Sequence, residues 1–260
     1  MSHIGLKYSK QIKLDSDSVK AVLDRKPSEK GKKVMDDYVK NNNYAEESDY
    51  DLILTTKDSL IFGFDFLHNG KKLMMPEINP ITIYFSNAIM SNVQIGKYKK
   101  ILISDAKKGI SQIHSFGNFF QLAFNCIMNL QSSIEVFVNL IIQENNYVFL
   151  KKDGTQRTGI INIHDKVNIA LPQILNKNFK TNFENEYSQI EDLIKLRNDL
   201  IHLKPEAEIT NTKYKIPYRK VIEFNFDKTI IAVKKFINYY EPNLIEECNY
   251  GVNFHFDIIK

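Results

Sequence analysis

The chain has 260 residues, with 35 Lys and Arg against 31 Asp and Glu, for a formal net charge of +4. Hydrophobic residues make up 43% and charged residues 25%, the balance of a soluble globular protein long enough to bury a core without disulfide or metal staples. This excludes a disordered tail protein, a disulfide mini-protein and a collagen-like fibre. Cys126 and Cys248 have no CxxC partner, which points to a reducing compartment and a cytoplasmic protein. No apolar signal-peptide core is visible near the N-terminus. The most apolar stretch, 116–142, carries Asn118, Gln121, Asn125, Asn129, Gln131, Glu135 and Asn139, too many polar groups for an expected membrane span. A pI near 8.7 is compatible with binding nucleic acid without demanding it.

In chain order, Val19, Val22 and Leu23 follow helical spacing until Pro27. A second helix is expected over 28–40, with Val34, Met35, Tyr38 and Val39 on its apolar side. Residues 52–54 and 60–67 read as strands, and Asn69-Gly70 supplies the two positive-φ positions of a tight hairpin turn, with 73–75 as the return strand. A short buried helix over 58–67 is the competing reading, because short apolar runs do not separate the two. Residues 81–85 alternate as a strand should. From 111 onward the pattern is helical: Phe116, Phe119, Phe120, Ala123, Ile127, Leu130, Ile134, Phe137, Val138 and Ile141 recur at three- and four-residue steps, giving one long helix with a wide apolar stripe. Residues 147–150 and 159–163 flank the Asp153-Gly154 turn as a second hairpin. A helix starts near Asn162, with Asp165 completing a weak capping box, and Pro172 kinks or ends it. The next helix covers 184–203, stopped by Pro205. The last runs from Asp227, as N-cap, to Tyr240, and 252–259 alternates like an edge strand. The predicted fold is α+β and mainly helical, with an N-terminal region of helices and a small sheet (1–110) and a helical domain with a C-terminal strand (111–260).

The most specific segment is Arg197-Asn198-Asp199-Leu200-Ile201-His202. On a helix, Asn198 and His202 stack one turn apart, and Arg197 lies to one side beside Ile194 and Ile201. A half-buried Arg there needs an acceptor, and Glu135 on the long helix is a candidate structural partner. His202 is placed to cap carbonyls at the helix end. Taken alone, these residues fit a structural role as well as a chemical one.

The segment also resembles the R-x4-H motif of the HEPN superfamily (higher eukaryote and prokaryote nucleotide-binding domains), including the Asn directly after the Arg. The likeness covers about residues 111–247: a long helix, a shorter one, the motif near the end of a third, then a closing helix. It implies a four-helix bundle and a metal-independent endoribonuclease that needs no cofactor, acts as a homodimer in a toxin or phage-defence setting, and meets RNA and an antitoxin or other partner protein. The motif's implied roles are His202 as general acid and base, Arg197 as phosphate clamp and Asn198 as orienter, chemistry that suits an imidazole and a guanidinium fork. The alternative within the same family is a non-catalytic module for dimerisation, nucleotide or partner-protein binding.

Lys213, Tyr214, Lys215, Tyr218, Arg219 and Lys220 interleave basic and aromatic residues just after the motif and are candidate RNA-binding residues; a solvated loop or edge strand accounts for them equally well. Lys97-Tyr98-Lys99-Lys100 has the same ambiguity. His3, His68, His114, His164 and His255 show no i, i+4 pairing, so no metal site is expected. No Gly-rich phosphate loop or GxSxG is present, and no nucleophile stands near a His in sequence.

Overall fold

The computed structural model describes residues 3–41, 44, 52–109, 113–151, 153–202 and 214–248. The protein is α+β and mainly helical, and it divides into two compact units, Leu6–Asn79 and Met1–Gly5 with Pro80–Lys260. The division falls at 79/80 rather than at the expected 110.

In the small unit, β1 (Gln11–Lys13) precedes α1 (Ser16–Leu23) and α2 (Glu29–Lys40), and β2 (Leu52–Thr55), β3 (Ser59–His68) and β4 (Lys71–Pro76) follow. The helices start where short polar side chains cap them: Asp15 accepts from the Ser18 N–H at 2.8 Å and Ser28 from the Gly31 N–H at 3.1 Å. β3 is the long central strand, antiparallel to β1, β2 and β4. The stretch read alternatively as a helix over 58–67 is therefore strand from Ser59 onward. Asn69 and Gly70 take φ of 49° and 73°, as a tight hairpin turn between β3 and β4 requires. At Gly63 a Cβ would lie 2.8 Å from the Met75 carbonyl oxygen, so only glycine fits where β4 ends its pairing.

The apolar side expected of α2 is buried only at Tyr38. Val34, Met35 and Val39 are exposed. Polar groups tie α2 down instead. The Tyr38 hydroxyl donates to the buried Asp65 carboxylate on β3. Lys72 of β4 sits 4.0 Å from Asp65, lies 3.6 Å from the Tyr38 ring centroid, and donates to the carbonyls of Tyr38 and Asn41 at 2.9 and 3.0 Å.

The larger unit is built on α3 (Pro80–Lys107), α4 (Ile113–Glu144), α8 (Glu184–Ile201) and α10 (Phe226–Tyr240), which pack on one another. Residues 81–85 begin α3 rather than forming a strand. Pro80 occupies the first helical position, where its missing N–H costs nothing, and Ile81, Phe85, Ala88, Ile89, Ile95 and Leu102 form one buried face. The alternation of Ile81, Ile83 and Phe85 was too short to reveal that period. α4 is long and apolar enough to cross a membrane by length and composition, with a mean hydropathy of 1.2 over its most apolar window. Phe119, Ala123, Ile127, Leu130, Ile134 and Val138 on α4 are nonetheless fully buried in the bundle.

Between α4 and α8 no paired strands form among the described residues. One isolated bridge, Leu150 to Gln156, closes the Asp153-Gly154 turn. Asn162 caps α5 (Ile163–Asp165) by accepting from the Asp165 N–H at 2.8 Å, as expected. A π-helical stretch (Lys166–Ala170) leads into α6 (Leu171–Leu175), where Pro172 lacks the N–H that a regular α register needs. α7 (Phe179–Asn182) is held by its Phe179 N–H, which donates to the Tyr240 hydroxyl at 3.1 Å. α9 (Lys215–Glu223) precedes α10, whose cap is Asn225; Asp227, expected in that role, lies in the first turn. The expected strand at 252–259 lies outside the described residues.

Candidate functional site at the end of the motif helix

α8 carries the Arg-Asn-x-x-x-His segment. Its buried side, Tyr187, Ile190, Leu193, Ile194, Leu196 and Leu200, fixes the helix against the bundle, and Glu184 and Glu186 in the first turn complement its dipole. Burial pushes the Tyr187 phenol up to about 12, and its hydroxyl donates to Asn168 Oδ1 at 2.7 Å, which anchors this end.

At the other end, Arg197, Asn198 and Asp199 are half-buried and His202 is exposed. The helix stops at His202, whose backbone N–H donates to the Asn198 carbonyl at 3.0 Å. His202 thus ends the helix through its main chain, and its ring makes no hydrogen bond among the described residues. Arg197 Nη1 donates to Asn198 Oδ1 at 3.2 Å. Its Nε is buried and meets no acceptor among the described residues. The expected partner, Glu135, is half-buried on α4, and no ion pair joins it to Arg197 among the described residues. Among the described residues the guanidinium meets a neutral amide and no carboxylate, and its buried Nε is left a donor for an anion.

The basic and aromatic segment after the motif is helical rather than a loop or edge strand. Lys213 lies outside the described residues. Pro217 sits in the first turn of α9, where no intrahelical N–H bond is lost. Lys220 Nζ pairs with Asp199 at 2.8 Å and ties α9 to the motif helix, so this cation is not free for phosphate. Lys215 and Arg219 are exposed. Tyr218 is half-buried, with its ring edge-on to Phe116 at 5.5 Å and Phe120 at 4.4 Å, and Tyr214 lies 6.1 Å from it. In the other basic stretch, Lys99 is committed to the Ile222 carbonyl.

The structure brings together two groups that sequence reasoning kept apart: Cys248 Sγ lies 2.6 Å from His3 Nδ1, 245 residues away in the chain. Backbone bonds from Gly5 N–H to Glu246 O at 2.9 Å and from Cys248 N–H to His3 O at 3.3 Å fix that pairing. No spacing signal could have revealed it. Burial pushes the other thiol, Cys126, up to about 12, which makes it inert as a nucleophile.

The wide apolar stripe expected of α4 includes Phe116 and Phe120, and Phe124 was not singled out. Phe116, Phe120 and Phe124 are half-buried and line an open groove of about 480 Å³ with Gly117, Gln121 and Asn125. Their four-residue spacing, offset from Phe119, Ala123 and Ile127, was the available signal. No family model, curated protein or solved structure matches this chain.

Proposed function

We propose that the protein is an endoribonuclease of the kind its motif resembles, acting in the cytoplasm as a homodimer in a toxin or phage-defence setting. The observation that carries this is the state of the motif: Arg197 is oriented by Asn198, has no carboxylate partner among the described residues, and shares the end of α8 with an exposed His202. A purely structural Arg-His pair at a helix packing is expected to be sealed and neutralised.

The chemistry follows from the groups. RNA carries its own nucleophile in the 2′-hydroxyl. That oxygen attacks the adjacent phosphorus, its proton passes to a neutral imidazole, and the 5′-oxygen leaves with a proton from an imidazolium. The products are a 2′,3′-cyclic phosphate and a 5′-hydroxyl. The guanidinium offers a planar pair of donors to the charge that grows on the phosphoryl oxygens. One chain supplies one His202, and a second copy supplies the other proton-transfer group, which is why the proposal includes a dimer.

The test is cleavage of tRNA and total RNA in the presence of a chelator. The wild type is expected to cut, and His202→Ala and Arg197→Ala to lose about a hundredfold or more. Intact RNA with all three folded proteins, or equal cutting by all three, would contradict the proposal and leave a non-catalytic binding module.

A further inference from the structure

Phe116, Phe120 and Phe124 form a row along α4, one per turn, with ring centroids 5.2 and 5.3 Å apart. From residue 113 to 134 the helix carries no Asp, Glu, Lys or Arg. The row is thus an uncharged aromatic strip flanked by the exposed amides of Gln121 and Asn125. Tyr218 packs edge-on against two of the three rings and so fixes α9 along one side of the row. At about 100° per residue, Lys215 and Arg219 lie about 60° and 100° around α9 from Tyr218, both on the same side of it. Both are exposed, and neither joins an ion pair among the described residues.

An aromatic strip beside unpaired cations, with no carboxylate on the strip, matches the chemistry of a polynucleotide better than that of another protein surface. We infer that this row is a stacking platform for unpaired RNA. The bases lie over the rings, the phosphates meet Lys215 and Arg219, and the amides of Gln121 and Asn125 meet base edges. Rings 5.2 and 5.3 Å apart leave no room for a base between them, so the strand lies across the row rather than threading it. The inference rests on the RNA-cleaving assignment and adds to it the substrate class, single-stranded rather than duplex RNA. The Lys220 to Asp199 pair joins the platform's helix to the motif helix, so a strand held here is delivered toward His202.

The test is fluorescence anisotropy on the full chain carrying His202→Ala, which keeps the RNA intact. The probes are a labelled oligoribonucleotide of about 16 nucleotides and the same strand annealed to its complement. The single strand is expected to bind at least about tenfold tighter than the duplex. Phe120→Leu with Phe124→Leu, which keeps the apolar bulk and removes the ring faces, is expected to weaken the single strand about tenfold. Lys215→Glu with Arg219→Glu, at exposed positions that leave folding intact, is expected to weaken it similarly and to flatten the salt dependence by about one log unit per decade. Equal binding of both probes, or charge-reversed variants that bind as the parent does, would overturn the inference. So would leucine variants that change a dimer to a monomer with RNA binding intact, because the row would then be a self-association surface. The two assignments fail separately: loss of cleavage with single-strand preference retained removes the nuclease, and normal cleavage with equal probe binding removes only the platform.

Discussion

The two units of the chain hold themselves together by different means. In the larger unit, Phe119, Ile127, Leu130, Ile134, Phe137, Val138, Phe236 and Ile237 are almost wholly buried and belong to one continuous apolar cluster. In Leu6–Asn79 the buried apolar side chains among the described residues are Val19, Tyr38 and Ile61, while Ser59, Asp65 and Asn79 are buried with them. The first unit is stabilised by periodic apolar burial, and the second by a sheet ladder and a polar staple. A stable helical frame can carry an Arg197 whose Nε meets no acceptor among the described residues, because the cost of one unsatisfied donor is small beside that core.

Phe236 meets the rings of Phe137, Phe179 and Tyr240 and is completely buried. Phe236→Ala is expected to cost about 3–5 kcal/mol in denaturant unfolding of the helical unit. A cost under about 1 kcal/mol would mean that this core is not closely packed. In the small unit, Asp65→Ala leaves Tyr38 and Lys72 facing a buried space without the carboxylate that joins them, and about 3 kcal/mol is expected. Val39→Ala on the exposed side of the same helix should stay within about 0.5 kcal/mol. Amide hydrogen exchange reads each unit separately, and equal effects of the two substitutions would remove the polar staple from the account.

The smallest effect concerns the surface of the helical unit. A hydrogen bond from Lys235, 2.6 Å away, holds the Glu186 carboxyl below its usual 4.5. A carboxylate whose folded value is depressed adds stability above its unfolded value and loses it as pH falls through the folded one. Glu186→Gln should therefore cost about 0.5 kcal/mol near neutral pH, and the difference from wild type should vanish as the solution is acidified below 4.5. A gap that persists or widens in acid would reverse the sign.

Much of this architecture is legible in the residues, and the exceptions have physical causes. Asn69-Gly70, the caps at Ser28 and Asn162, and the long stripe of α4 are local or periodic signals, and the structure follows them. α3 was missed because Ile81, Thr82 and Ile83 are β-branched and favour a strand locally, while the buried face that decides for helix extends to Leu102. That error moved the domain boundary, since α3 belongs with α4. Of the side of α2 that periodicity named, Tyr38 is buried while Val34, Met35 and Val39 are exposed, because helical spacing does not say how much apolar surface a neighbour offers. At the site, the positions of Arg197, Asn198 and His202 on one helix end follow from spacing. The choice of Asn198 over Glu135 as the partner of Arg197 depends on how α4 and α8 pack, which no local pattern encodes. The same holds for Tyr218, which reads equally as a base-stacking group or a solvated residue and is seated on Phe116 and Phe120.

The most direct test of the proposed chemistry is the identity of the ends produced when the purified protein cuts tRNA in a chelator. The account predicts 2′,3′-cyclic phosphate and 5′-hydroxyl termini, formed by the substrate's own 2′-oxygen and lost with His202→Ala. Termini with a 3′-hydroxyl and a 5′-phosphate, or a folded dimer that leaves tRNA intact, would contradict it.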